Sequence, residues 1–108
     1  PKYPLPYELD QERERAEICI GTDAFHTPTE ISTALVNFFE TAGLSVAIDR
    51  PFSGSIVPMK YWQKEPNVKS VMIEIRSDLY MNEKTGTKSH NFNEMQKTIS
   101  KIIKILAN

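Results

Sequence analysis

The amino-acid sequence predicts a small three-layer α/β domain with a mostly parallel sheet, in the order β-α-β-long loop-β-α. Two short apolar segments flank a stretch of helical periodicity, which predicts a strand, a right-handed crossover helix and a second strand parallel to the first. A long loop, residues 52–67, then precedes a third strand and an amphipathic final helix. A chain of 108 residues has room for one such domain.

Residues 1–17 are predicted to form an extended leader ahead of the domain. Prolines at positions 1, 4 and 6 favour extended or turn backbone, and residues 10–15 are a run of mostly charged side chains. We therefore expect two parts, the leader 1–17 and a single α/β domain 18–108. Because the leader has little apolar surface to bury, we expect it to pack poorly within its own chain or to run along a neighbouring molecule.

The first strand and the first helix are marked by local signals. Residues 17–21 form a short apolar run that ends in glycine, which predicts a buried strand. Thr27 is the predicted N-cap of the helix, Pro28 its first residue and Glu30 the partner in a capping box. Gly43 is the predicted end of the helix. The predicted buried face comprises Ile31, Ala34, Leu35, Phe38 and Ala42.

Two further strands and a second helix follow. Residues 44–48 alternate apolar and small side chains, which predicts a strand directly after the helix. Residues 68–75 predict the third strand, and its side chains alternate between two faces. One face holds Met72, Glu74 and Arg76, and the other holds Val71, Ile73 and Ile75. The final helix is expected after Asn91, with apolar positions at Met95, Ile99, Ile102, Ile103 and Leu106.

The composition excludes several classes of protein. Thirteen basic and fourteen acidic side chains give a net charge of −1 without a basic stripe, so no nucleic-acid partner is expected. No apolar run is long enough for a membrane span, so no membrane partner is expected. A single cysteine allows no intramolecular disulfide and favours a cytoplasmic setting. The thin sheet is expected to expose an edge, which would permit self-association.

Polar residues concentrate at the ends of the three predicted strands, where open α/β sheets bind ligands. They are Asp23 and His26, then Asp49, Arg50, Phe52, Ser53 and Gly54, and finally Glu74 and Arg76. Glu74 interrupts an apolar strand, and a carboxylate buried there is costly unless it is paired. A carboxyl group perturbed in this way can act as a general base. The alternative is an edge strand with one wet face, on which Glu74 is simply solvated.

The turn after the second strand and the first histidine carry weaker signals. Arg50 could hold a substrate carboxylate bidentately, with the backbone of Ser53 and Gly54 close to it. Alternatively, Arg50 is a surface arginine in an ordinary turn. His26 could bind a metal or an anion near the helix, or it could be a loop histidine with satisfied hydrogen bonds.

The metal ligands are too few for a catalytic centre. A catalytic zinc site needs three protein ligands and an open position. The chain offers only His26 and His90, without HExxH-type spacing, and Cys19 lies between two isoleucines that place it in the core. We therefore expect no metal site and no cofactor in this chain.

Three segments resemble the C-terminal part of the N-formylglutamate amidohydrolases. They are residues 18–28 (ICIGTDAFHTP), residues 48–54 (IDRPFSG) and residues 72–81 (MIEIRSDLYM), in the family's order. The resemblance extends from about Leu5 to Ile105. Its second and third motifs are the more specific ones. Ser55 is a departure, since the family often has a second glycine or a threonine there.

The resemblance implies a zinc-dependent hydrolase with a zinc-exopeptidase-like α/β fold, which converts N-formyl-L-glutamate to formate and glutamate in histidine degradation. Glu74 matches the family's catalytic glutamate, which activates a water molecule and passes the proton to the leaving nitrogen. The positions that match the substrate side are Arg50, Ser53, Gly54, Arg76 and Tyr80. The family's zinc ligands lie in an N-terminal part that has no counterpart in this sequence. Zinc is therefore expected only in the full-length enzyme, with that missing part as partner.

Two functions remain open at this point. One is the C-terminal region of a metal-dependent amidohydrolase acting on an N-formyl or N-acyl amino acid. The other is a stand-alone α/β binding or interaction module without catalytic activity. The lack of a metal triad favours the module for the isolated chain, whereas Glu74 within a strand favours the enzyme for its parent. On the enzyme hypothesis, the isolated chain is expected to be inactive and to bind no stoichiometric zinc.

Overall fold

A computed structural model describes residues 1–107 and confirms the α/β class. Its elements are β1 (Ile18–Gly21), α1 (Thr29–Thr41), β2 (Val46–Ile48), β3 (Met72–Ile75), a 3-10 turn (Ser77–Leu79) and α2 (Phe92–Ala107). The chain divides into two compact units, residues 18–74, and residues 1–17 together with the segment from Ile75 onward. The division expected from the sequence, a leader and a single domain, stays a prediction.

The three strands form one mixed sheet in the order β2-β1-β3. β1 and β2 are parallel, as predicted, and Cys19 pairs with Ala47 in the centre of their register. The expectation of a mostly parallel sheet is wrong for β3. Gly21 lies against Met72, while the N–H of Arg76 donates to the carbonyl of Glu17, so β3 runs antiparallel to β1. The reason is that the segment between β2 and β3 contains no helix, and a parallel neighbour requires a crossover of that kind.

Helix α1 begins without the predicted capping box. Its N-cap is Pro28, and no side chain caps the first turn. The hydroxyl of Thr27 instead accepts the N–H of Asp23 at 2.8 Å and donates to the carbonyl of Ser70 at 2.6 Å. Thr27 is therefore engaged by two loops, which explains why it does not cap the helix.

The buried face of α1 also differs from the predicted one. Ser32, Leu35 and Phe39 are buried, whereas Ala34 and Ala42 are exposed. The buried positions keep the i, i+3, i+7 spacing of a single helical stripe. Ser32 is tolerated in this stripe because its hydroxyl donates to the carbonyl of Thr29 at 3.0 Å, so no buried polar group is left unpaired.

The predicted end of α1 at Gly43 is confirmed. Gly43 adopts a left-handed φ of 85°, which glycine reaches without a steric penalty. Its N–H donates to the carbonyl of Glu40 at 2.9 Å, and the N–H of Leu44 donates to Phe39 at 3.0 Å. This pair of bonds is a Schellman motif, and it sends the chain directly into β2.

The second compact unit contains α2 and the leader. Helix α2 begins after Asn91, as predicted, and buries Met95 and Ile102. Most leader residues are exposed, but side-chain hydrogen bonds and an ion pair fix the end of the leader. Arg76 donates to the carbonyl of Arg15 at 2.7 Å, and Arg15 forms an ion pair with Glu8 at 3.2 Å. No helix in residues 1–107 has the length and apolar character of a membrane span.

Candidate active site

Cys19 and Glu74 lie at the centre of the candidate site. The antiparallel register of β1 and β3 places Glu74 opposite Cys19. The Cys19 thiol donates to the carbonyl of Phe52 at 3.2 Å. Burial raises the pKa of this thiol, and the negative charge of Glu74 acts in the same direction. Cys19 therefore remains a protonated core residue, as the sequence predicted, and its role is to hold the turn that follows β2.

That turn, residues 49–54, is fastened to the end of β1 at two further points. The Asp49 carboxylate accepts the backbone N–H of Thr22 at 2.7 Å and its hydroxyl at 2.6 Å. At the other end of the turn, a Cβ on Gly21 would lie 2.4 Å from the carbonyl oxygen of Gly54. The strand and the turn thus approach each other more closely than any side chain at position 21 would allow. These contacts fix the backbone that carries Arg50 and residue 53.

Thr22 and Gly21 are site residues that the sequence does not predict. Gly21 marks the end of a strand, but a glycine inside a strand is also a signal of close backbone approach. Thr22 carried no comparable signal, because its partner Asp49 lies far away in the sequence. The positive φ of Asp49, 57°, is likewise set by this tertiary contact.

Glu74 is half-buried rather than fully buried. All four residues of β3 share this intermediate exposure, because β3 is an edge of the described sheet. Within residues 1–107, no side chain or backbone group forms a hydrogen bond or ion pair with the Glu74 carboxylate. A carboxyl group with open acceptor positions, beside a fixed turn, has the geometry to exchange a proton with a bound molecule.

The other predicted site residues fall into two groups. Arg50, Ser53 and Gly54 lie in the fixed turn of the 18–74 unit, together with Glu74. Arg76 and Tyr80 belong to the other compact unit.

Arg76 and Tyr80 have structural partners of their own. The Arg76 guanidinium donates from Nε to Asp78 at 2.6 Å and from Nη2 at 3.1 Å, and the Asp78 carboxylate raises the pKa of Arg76. The ring of Tyr80 packs edge-on to Phe92 with centroids 6.4 Å apart. A substrate-binding role for these two residues stays a prediction.

His26 is a fully buried loop histidine whose two nitrogens are both occupied. The N–H of Gln63 donates to Nε2 at 2.9 Å, which identifies Nε2 as the unprotonated nitrogen. Nδ1 therefore carries the proton and donates to the carbonyl of Val68 at 2.7 Å. This geometry agrees with the reading of His26 as a satisfied loop residue. It ties the long loop to the sheet and leaves no lone pair for a metal.

Asp23 shapes the short segment that leads into His26. Its carboxylate accepts the N–H groups of Phe25 at 2.8 Å and of His26 at 2.9 Å. These two bonds hold the pKa of Asp23 below its ordinary value. Asp23 therefore supports the loop and is not positioned to bind substrate by a free carboxylate.

Residues 1–107, the described part of the chain, do not fit a zinc site. Residues 1–107 contain no cluster of three His, Cys, Asp or Glu side chains that could hold a metal ion. The nitrogens of His26 are engaged, the Cys19 thiol is protonated, and His90 is exposed.

Known proteins resemble this chain in both fold and sequence. The structure is similar to the crystal structure of N-formylglutamate amidohydrolase from Ralstonia eutropha JMP134, with a TM-score of 0.67 and 24% sequence identity. The match covers 82% of this chain and 32% of that chain, so this chain spans about a third of that protein. The sequence profile of N-formylglutamate amidohydrolase matches residues 1–81. The chain therefore belongs to the N-formylglutamate amidohydrolase family, a family of hydrolases. No curated protein matches the sequence.

Proposed function

We propose that this chain is the C-terminal region of an enzyme that hydrolyses N-formyl-L-glutamate, or a related N-acyl amino acid, to formate and glutamate. The observation that carries the proposal is the Glu74 carboxylate. It has no partner within the described chain and lies across from Cys19, whose thiol holds the 49–54 turn. A carboxylate retained on a strand without an ion pair contributes little to stability. A role in proton transfer would account for a carboxylate at this position.

Hydrolysis of a formyl amide needs one group that moves a proton twice. In the proposed reaction Glu74 accepts a proton as the oxygen of water bonds to the formyl carbon. It then gives that proton to the nitrogen as the C–N bond breaks, so that formate and the free amine leave. The electron pair of the broken bond remains on nitrogen. Glu74 returns to its ionised state.

The 49–54 turn is proposed to bind the amino-acid part of the substrate. Arg50 is exposed on this turn, and a guanidinium suits the bidentate recognition of a substrate carboxylate. The backbone at Ser53 and Gly54 would lie alongside, held in place by Asp49 and Cys19. Arg76 and Tyr80 are proposed to act in substrate binding as well, as their match to the family motif implies.

The family resemblance implies zinc, and the described residues do not fit it. The chemistry assigned to this chain is therefore limited to proton transfer and substrate binding. We infer that any metal ligands belong to the missing N-terminal part of the enzyme, and that the reaction serves histidine degradation in the cytoplasm.

The test compares Glu74→Gln with Glu40→Gln in the full-length enzyme that contains this chain. Gln keeps the shape of Glu74 but cannot accept the proton, so turnover of N-formyl-L-glutamate should fall by ~10²–10⁴-fold. The metal content should be unchanged. Glu40 is an exposed residue of α1, and its replacement should leave turnover within about twofold of the parent. Formate release is measured for each variant.

Near-normal turnover by the Glu74→Gln enzyme would contradict the role of Glu74. The 108-residue chain alone supplies a second test, because it should release no formate above a metal-stripped control. Formate release by that chain would refute the proposal that it supplies only part of an active site. Binding of N-formyl-L-glutamate to the chain, with a full-length enzyme that never turns it over, would favour the binding-module alternative.

A further inference from the structure

An open apolar groove of about 360 Å³ runs along α2. Ile75 and Tyr80 form one wall, and Phe92, Ile99 and Ile103 of α2 line the other. The polar side chains on its lining are uncharged, Gln96 and Ser100. A groove of this volume and lining is large enough to take apolar side chains of another molecule.

Only part of the apolar stripe of α2 is buried against the rest of its unit. Met95 and Ile102 are buried, whereas Ile103 is 59% exposed on the groove side of the same stripe. Leu106, one turn further along, is 40% exposed. The helix also lies outside residues 1–81, the part that the family profile matches.

The α2 side of the groove is rich in lysine. Between residues 84 and 107 the chain has five lysines and one acidic residue, Glu94. The Nζ of Lys88 lies 4.5 Å from the centroid of the Phe92 ring, which lines the groove. Lys97 and Lys104 are exposed and lie three residues before and four residues after Ser100, a lining residue of the groove, so they are its neighbours on the surface of α2. Lysines therefore border the apolar surface.

We propose that this groove docks an amphipathic helix of a partner polypeptide whose apolar stripe is flanked by Asp and Glu side chains. Large apolar residues spaced i, i+4 would fill the groove, and the carboxylates would face the lysines. A second copy of α2 fits poorly, because the two rows of lysines would face each other. A small polar ligand finds no charged anchor on the lining. The inference is independent of the proposed amidohydrolase activity.

The experiment uses the 108-residue chain and a fluorescently labelled synthetic helix with a stripe of leucines flanked by glutamates. Binding is followed by fluorescence anisotropy. We expect Ile103→Ser to weaken binding by about tenfold, as loss of a buried apolar anchor does at protein interfaces. The matched control is Ile105→Ser on the same helix. Ile105 is 56% exposed, points about 160° away from Ile103 by helical periodicity, and its replacement should change the affinity by less than about twofold.

A charge swap tests the second half of the proposal. Replacing both Lys97 and Lys104 by Glu should weaken binding of the glutamate-flanked helix. It should strengthen binding of a second helix that has the same leucine stripe flanked by lysines. Circular dichroism of every variant checks that α2 is retained. Equal effects of the two isoleucine changes, or equal binding of both peptides by the parent chain, would overturn the proposal. Two further results would do so as well. One is self-association of the free chain, in sedimentation, that Ile103→Ser abolishes, and the other is binding to phosphatidylserine vesicles in preference to the peptide.

Discussion

Replacing Gly21 by alanine tests whether the 49–54 turn is pressed against the end of β1. The new Cβ would lie 2.4 Å from the Gly54 carbonyl oxygen and 2.4 Å from the terminal methyl of Met72. A relaxed carbon-to-oxygen contact is ~3.3 Å, so the turn would have to retreat by about 0.9 Å. The Met72 methyl can rotate away, whereas the Gly54 oxygen moves only with its backbone. Overpacking of this kind costs ~1–3 kcal/mol of unfolding free energy.

The loss can be measured by thermal and urea unfolding. The melting temperature should fall by roughly 4–8 °C for each kcal/mol in a chain of this size. Trp62 is the single tryptophan and lies in the same compact unit as Gly21, so its fluorescence reports on this unit. Circular dichroism reports on the helices. The urea dependence also separates a loss of stability from a change in the surface exposed on unfolding.

Two comparisons make the test specific to the turn. Gly43→Ala places its Cβ in open space and is strained only by its φ of 85°, so it should cost ~1–2 kcal/mol and be partly relieved by Asn. Gly21→Asn should lower the unfolding free energy more than Gly21→Ala, because the larger side chain meets the same contacts. In a Met72→Ala background, Gly21→Ala should remain destabilising, because the contact with the Gly54 oxygen persists, as does the one at 2.9 Å with the Cβ of residue 72. Full recovery in that background, or a cost below about 0.5 kcal/mol in the parent, would refute the close approach of the turn.

Two predictions concern the segment between β1 and α1, which contains Asp23 and His26. His26→Leu should lower the unfolding free energy by about 2–4 kcal/mol in urea, because it leaves two backbone groups without their ring partners. His90→Leu, at an exposed position, should change it by less than about 0.5 kcal/mol, and equal losses would show that His26 has no special structural role. Asp23 has a pKa below its ordinary value of 3.8, so its contribution to stability is present above that pH and is lost as the pH falls through the folded-state pKa. Asp23→Asn should therefore flatten the acid limb of a stability-against-pH curve, and an unchanged limb would show that other carboxylates govern it.

The elements with local signals were predictable from the sequence. β1 is a short β-branched run, and the end of α1 depends on Gly43 and its neighbours, so nothing distant is needed to form it. The same holds for the start of α2 after Asn91. At the end of α1 the responsible backbone groups lie within a few residues of one another.

The predictions that were wrong concern residues whose partners are distant in the sequence. Thr27 has the sequence context of an N-cap, but Asp23 and Ser70 compete for its hydroxyl. The buried stripe of α1 includes Ser32, which a hydrophobicity pattern alone discards. The third strand is Met72–Ile75, shorter than the predicted 68–75. The residues before it form hydrogen bonds with the loops, and the N–H of Ser70 donates to the carbonyl of His26. Such competition between local and tertiary hydrogen bonds is invisible in a single sequence.

The direction of β3 changes which residues the sheet brings together. If all three strands were parallel, their carboxyl ends would meet at one edge, and Arg76 would lie near the turn after β2. In the antiparallel register, Arg76 pairs with Glu17 before β1, and Glu74 stands opposite Cys19 within it. The strand register thus places Arg76 beside the leader and Glu74 beside Cys19, at different positions along β3. Glu74 stands beside Cys19, whose thiol donates to Phe52, and Gly21 meets Gly54 of the same turn, so the Glu74 and Gly21 substitutions probe the end of β1 and the 49–54 turn by turnover and by stability.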